Sequence, residues 1–94
     1  DTLPNMLYKF RIIIVLRYFL GYNNSMKKYV GDKFRECRLA CEMTQKDVAK
    51  RLGVSQPVYN RYEKGICECT YLQLTRLCDI FDVSADYILG RRDY

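Results

Sequence analysis

The chain has 94 residues, 49% of them hydrophobic, which suits one small domain and leaves no room for a large core. A net charge of +5 and a pI near 9.0 favour an anionic partner over a neutral one. Five cysteines with no histidine speak against a closed disulfide framework, point to a reducing, cytoplasmic location, and remove the commonest general base and metal ligand.

Residues 1–25 differ from the rest. Asp1–Asn5 read as a flexible start, followed by MLYKFRIIIVLRYFLGY from Met6 to Tyr22. Lys9, Arg11 and Arg17 interrupt that segment, and Ile12–Leu16 is its one unbroken apolar run. It is too short and too charged for a bilayer span, which needs about 20 mostly apolar residues. Basic residues precede the run as in a secretion signal, but no small-residue cleavage site follows. Three readings stay open: an element that packs on the domain or forms a dimer seam, an interfacial amphipathic anchor, or an upstream extension with Met26 as the natural start. GYNNS, Gly21–Ser25, reads as a linker, and residues 26–94 as the domain.

Val30, Phe34, Cys37 and Cys41 recur at three- and four-residue steps, so Lys27–Cys41 reads as an amphipathic helix. Thr44 with Asp47 three residues on is a capping signature, and Val48, Ala49 and Leu52 then share one helical face. Small Ala49 permits a close helix crossing. Gly53 ends this helix and Val54 pins the turn to a core. Ser55 caps a third helix with Pro57 in its first turn, where a missing N–H does no harm. Tyr59 and Tyr62 continue the buried face, and Gly65 closes it. Two short helices at this spacing make a helix-turn-helix, or else an ordinary αα-hairpin of a small bundle.

After a loop, Thr70 caps a fourth helix with Gln73 completing the box; its apolar set is Leu74, Leu77, Cys78 and Phe81. Asp82 and Val83 turn the chain, and Ser84 caps a short fifth helix in which Tyr87, Ile88 and Leu89 face inward before Gly90. Arg91–Tyr94 reads as a frayed tail. Charge is divided unevenly. Met26–Lys64 carries ten Lys/Arg against five Asp/Glu, and Gly65–Tyr94 three against five. The surplus lies on the helix-turn-helix half, where phosphate contact needs it.

No Gly-rich phosphate loop, nucleophile elbow or placeable carboxylate pair appears, so no enzyme and no cofactor is expected. Cys67-x-Cys69 is a poor start for a zinc site, so no metal is expected either. Cys37 and Cys78 are expected as buried small hydrophobes. Cys67 and Cys69 are candidates for exposure, with thiol sensing an unsupported reading.

FRECR, MTQKDVAKRLGVSQ, NRYEKG and LCDIFDVSADYILG, within Gly31–Gly90, resemble the Cro/repressor-type helix-turn-helix family, also called the xenobiotic-response-element family. The resemblance covers about two thirds of the chain without a gap and does not extend to residues 1–25. It implies an all-α, five-helix lambda-repressor-like domain that binds double-stranded DNA as a repressor, its third helix in the major groove. The implied DNA contacts are Gln45 to a phosphate, Ser55 and Gln56 at the start of the third helix, and Pro57, Asn60, Arg61 and Lys64. Gln56 suits adenine and Arg61 suits guanine or a phosphate, whereas Asn60 either reads adenine or is solvated. Pro57 departs from the family's usual polar residue and offers only a thymine-methyl contact or a helix shape. Arg38 and Glu63 match an ion pair of the family. The implied partners are a pseudo-palindromic operator and a second copy of the chain. An antitoxin-like or other protein-interaction module is the rival reading, and a membrane tether through Met6–Tyr22 a more remote one.

Overall fold

The computed structural model describes residues 25–94 as five α-helices, with no strand among the described residues. They are α1 Ser25–Ala40, α2 Gln45–Leu52, α3 Gln56–Lys64, α4 Tyr71–Phe81 and α5 Ala85–Ile88. The alternative readings of the N-terminal extension concern residues 1–24, which lie outside the described residues. Ser25, expected in the linker, is the first residue of α1.

The four later helices start where a Ser or Thr can accept a backbone N–H. Thr44 and Thr70 each form the full reciprocal box, with Asp47 and Gln73 reaching back to the cap N–H. Ser55 and Ser84 accept from Val58 and Tyr87. α2, α3 and α4 end alike: Gly53, Gly65 and Asp82 turn left-handed, and the next residue donates its N–H back into the last helical turn.

The core gathers the apolar faces read from the sequence: Phe34 and Cys37 of α1, Val48, Ala49 and Leu52 of α2, Tyr59 and Tyr62 of α3, Leu77, Cys78 and Phe81 of α4, and Ile88 of α5. Val54 and Leu74 pack half-buried against it, as do Val83 and Tyr87. Cys41 departs from expectation. Its apolar spacing put it on the α1 face, but the helix stops at Ala40, Glu42 turns left-handed at φ 56°, and Cys41 is left exposed in the turn.

α1 lies chiefly across α3, with backbones close enough to exclude a side chain. A Cβ on Gly31 would stand 2.4 Å from the Glu63 carbonyl oxygen, and one on Gly65 would stand 2.8 Å from Lys28 Cα. Gly31 sits in a helix interior, where glycine normally costs about 1 kcal/mol against alanine; the close crossing is what requires it. Midway along α1, Lys33 Nζ lies 4.4 Å from the Tyr87 ring centre and 5.7 Å from that of Tyr29, tying α1 to α5. The C-terminal tail is also held, since Arg92 Nε lies 3.2 Å from Asp86 Oδ2 and the Arg91 N–H donates to the Asp86 carbonyl.

Candidate nucleic-acid interface

The start of α2 lies against the middle of α3, and with the outer face of α3 it opens onto one shallow groove. Gln45, Gln56, Pro57, Asn60, Arg61 and Lys64 line it, together with Ile66. Six of the seven residues read from the sequence as DNA contacts are thereby on one surface. Ser55 is not among the lining residues; its Oγ is engaged at 3.4 Å by the Val58 N–H, so its visible work is capping. Gln56, Pro57, Arg61 and Lys64 are exposed, whereas Gln45 and Asn60 are half-buried.

The half-burial has a cause beneath the groove. Glu63, on the inner side of α3, is only 4% exposed. Arg38 from α1 meets it with two parallel hydrogen bonds, Nε to Oε2 at 2.6 Å and Nη2 to Oε1 at 3.1 Å, and donates a third from Nη1 to the Met43 carbonyl at 3.0 Å. This places together the two residues read as an ion pair and locks α1, the α1–α2 turn and α3. Gln45 Nε2 donates to Glu63 Oε1 at 3.0 Å, and Asn60 Nδ2 donates to Gln45 Oε1 at 3.1 Å. A chain of four side chains thus runs from the interior to the groove.

Burial by itself would raise the Glu63 carboxyl, but hydrogen bonds from Arg38 and Gln45, with the Arg38 charge beside it, outweigh burial and hold it below its usual range. The hydrogen bond to Glu63 likewise raises Arg38. Tyr59 lies near the same pair, yet its fully buried hydroxyl misses hydrogen-bond geometry. It is the one buried side-chain polar atom without a partner among the described residues. Burial, reinforced by the neighbouring carboxylate, drives that hydroxyl far above its ordinary pKa and keeps it neutral.

Electrostatics point the same way. The α3 side chains facing solvent include Arg61 and Lys64 and no acid, since its one carboxylate is turned inward and neutralised by Arg38. The free N–H groups at the starts of α2 and α3 add partial positive charge. Sequence reasoning missed Ile66 as a groove residue. The available signal was its position one past the Gly65 cap, where an apolar residue commonly packs; here its N–H donates to the Arg61 carbonyl at 3.0 Å while its side chain stays 61% exposed.

The thiols follow burial. Cys37 and Cys78 are buried, and burial raises both. Cys67 is exposed, but Cys69, expected alongside it, packs half-buried on the core and is pushed up to about 11 by burial. Among the described residues no cluster of His, Cys, Asp and Glu is placed to hold a metal ion, and no helix is long and apolar enough to cross a membrane.

A family model described as Helix-turn-helix matches residues 34–88, more than half of the chain. The chain belongs to the Cro/repressor-type helix-turn-helix family. The uncharacterized HTH-type transcriptional regulator YqaE of Bacillus subtilis (strain 168) is 38% identical over 59 residues, covering 63% of this chain and 51% of that protein. The chain spans about half the length of the curated relatives it matches. Among solved structures, the P22 c2 repressor in complex with a synthetic operator superposes with a TM-score of 0.63 at 25% identity, over 67% of this chain and 96% of that one. The clp gene regulator ClgR from C. glutamicum gives a TM-score of 0.65 at 21% identity, over 70% and 86%, a likeness of fold. The five helices are those of the lambda-repressor-like fold, and the groove lies on its helix-turn-helix unit.

Proposed function

We propose that the protein binds double-stranded DNA sequence-specifically and regulates transcription, as a repressor, with α3 in the major groove. The groove carries this reading: the start of one helix set against the outer face of the next, with the amide of Gln56, the guanidinium of Arg61 and the ammonium of Lys64 exposed at its surface. Side chains early in such a second helix reach base edges while the preceding helix crosses the phosphate backbone. In this reading Gln56 pairs with adenine, Arg61 takes guanine or a phosphate, and Pro57 offers an apolar face to a thymine methyl. The spare N–H of Gln45, with Lys64, holds phosphates. Ser55 contributes through the cap that aims the helix. The likeness to a repressor held on its operator supports the same placement.

The operator in this proposal is pseudo-palindromic and taken by two copies of the chain, with half-sites about one helical turn apart. Exposed Tyr71 and Leu72, outside the groove, supply apolar surface for that second copy. Such a protein acts in the cytoplasm on the cell's DNA.

Selection from a random double-stranded pool at moderate salt tests this. The expected result is an enriched sequence with two related halves, whose affinity falls steeply as salt rises because phosphates are being neutralised. A pool that emerges unenriched even at low salt overturns the proposal.

A further inference from the structure

The four linked side chains beneath the groove do more than hold it together, because each fixes the sense of the next. Glu63 is buried and ionised beside Arg38, and an ionised carboxylate only accepts hydrogen bonds. The amide of Gln45 that meets it at 3.0 Å must therefore turn its NH2 inward, leaving its oxygen for Asn60. That oxygen also only accepts, so Asn60 must turn its NH2 to Gln45 at 3.1 Å. The carbonyl oxygen Oδ1 of Asn60 is thereby pointed away from Gln45. It meets no donor among the described residues and is not sealed from solvent. Asn60 and Gln45 both line the groove.

We propose that Asn60 presents a fixed hydrogen-bond acceptor to the DNA and that Glu63 and Gln45 are positioning residues that set its sense. This rests on the DNA-binding reading above and sharpens it. The only major-groove donors are the exocyclic amines of adenine and cytosine; guanine and thymine offer acceptors and a methyl. Asn60 therefore selects adenine or cytosine on the strand it faces and repels guanine or thymine there. A free asparagine rotates its amide and tolerates either class; this one is held by a chain that begins at a buried charge.

The test starts from the pool selection, repeated with Asn60→Ala and Gln45→Met in the full chain, with helical content checked by circular dichroism. Wild type is expected to require adenine or cytosine at one position per half-site, and Asn60→Ala to lose preference at that position alone. Gln45→Met is expected to weaken binding to all sequences through its lost phosphate contact and also to relax that one position, a change that uniform weakening does not produce. Replacing the selected base by purine or 2-pyrimidinone, which lack the amine, should weaken wild type about three- to tenfold, the worth of one net hydrogen bond, and leave Asn60→Ala unchanged. The proposal is overturned by a guanine or thymine preference at the Asn60-dependent position, by enrichment with no such position, or by Gln45→Met keeping the preference. A pool with no enrichment at all is a different outcome, since it removes the DNA-binding reading first.

Discussion

Helices α3 and α4 are built on one plan and put to opposite uses. Each starts at a hydroxyl cap, runs about two to three turns, ends in a left-handed residue, and sends the following N–H back to close the helix. α4 gives Leu77, Cys78 and Phe81 to the core, and its exposed first turn holds Tyr71, which is 92% exposed, and Leu72. α3 gives Tyr59 and Tyr62 to the core, and its exposed face holds Gln56, Arg61 and Lys64. The closing residues also part company: Val54 and Val83, after α2 and α4, pack on the core, whereas Ile66 after α3 faces the groove. A capped helix of this size needs only its inner face to fold. In the proposed reading the outer face of α3 is left for recognition, and the side chains that aim it lie beneath.

The largest effects should come from breaking that support. Glu63→Ala leaves the Arg38 guanidinium buried without its partner and frees Gln45, and should cost about 3–5 kcal/mol in urea unfolding. The same pair sets an acid limit. The folded carboxyl lies below its unfolded value of 4.5, so its contribution is complete above that pH and is lost as pH falls through the depressed folded value. Wild-type stability should drop over that acid range, and a Glu63→Gln variant should lose this part of the slope.

Gly31→Ala comes next and tests sign. Helix propensity alone predicts a gain of about 1 kcal/mol. The 2.4 Å approach to a backbone oxygen predicts instead a loss of about 2 kcal/mol, because α1 and α3 must separate. Thermal unfolding separates the two directions.

On the outer face the two helices should diverge. Gln56→Ala and Arg61→Ala should each weaken binding to the selected site by about 1–3 kcal/mol and relax base preference, with unfolding changed by less than about 0.5 kcal/mol. Equal operator affinity in both variants, measured by titration, would remove them from the interface. Smallest is Tyr59→Phe. Deleting a buried hydroxyl that has no partner should leave stability unchanged or raise it by up to about 1 kcal/mol, read as a higher midpoint in denaturant.

Much of this was legible from residue spacing. Thr44 with Asp47 and Thr70 with Gln73 announced two helix starts, and Val48, Ala49 and Leu52 announced one buried face, because capping and helical period are local properties. Cys41 misled for the opposite reason: its spacing continued the α1 stripe, but a left-handed Glu42 ended the helix one residue short. Gly31 carries no local mark of its role, since nothing nearby in sequence reveals a backbone crossing. Cys69 sat in a loop four residues past a glycine and read as exposed, yet the loop folds onto the core.

Local chemistry alone determined where the four capped helices begin, where α2, α3 and α4 end, which stripe of each is apolar, and which half of the chain carries surplus positive charge. Those choices depend on neighbours within about four residues. Tertiary structure decided what could not be decided locally: that Glu63 is buried against an arginine twenty-five positions earlier, and that Gln45 and Asn60 complete its chain of hydrogen bonds. It also decided that the backbones of α1 and α3 touch. Those contacts join residues far apart in sequence, and only closing the loops between them gives the groove its floor and its direction.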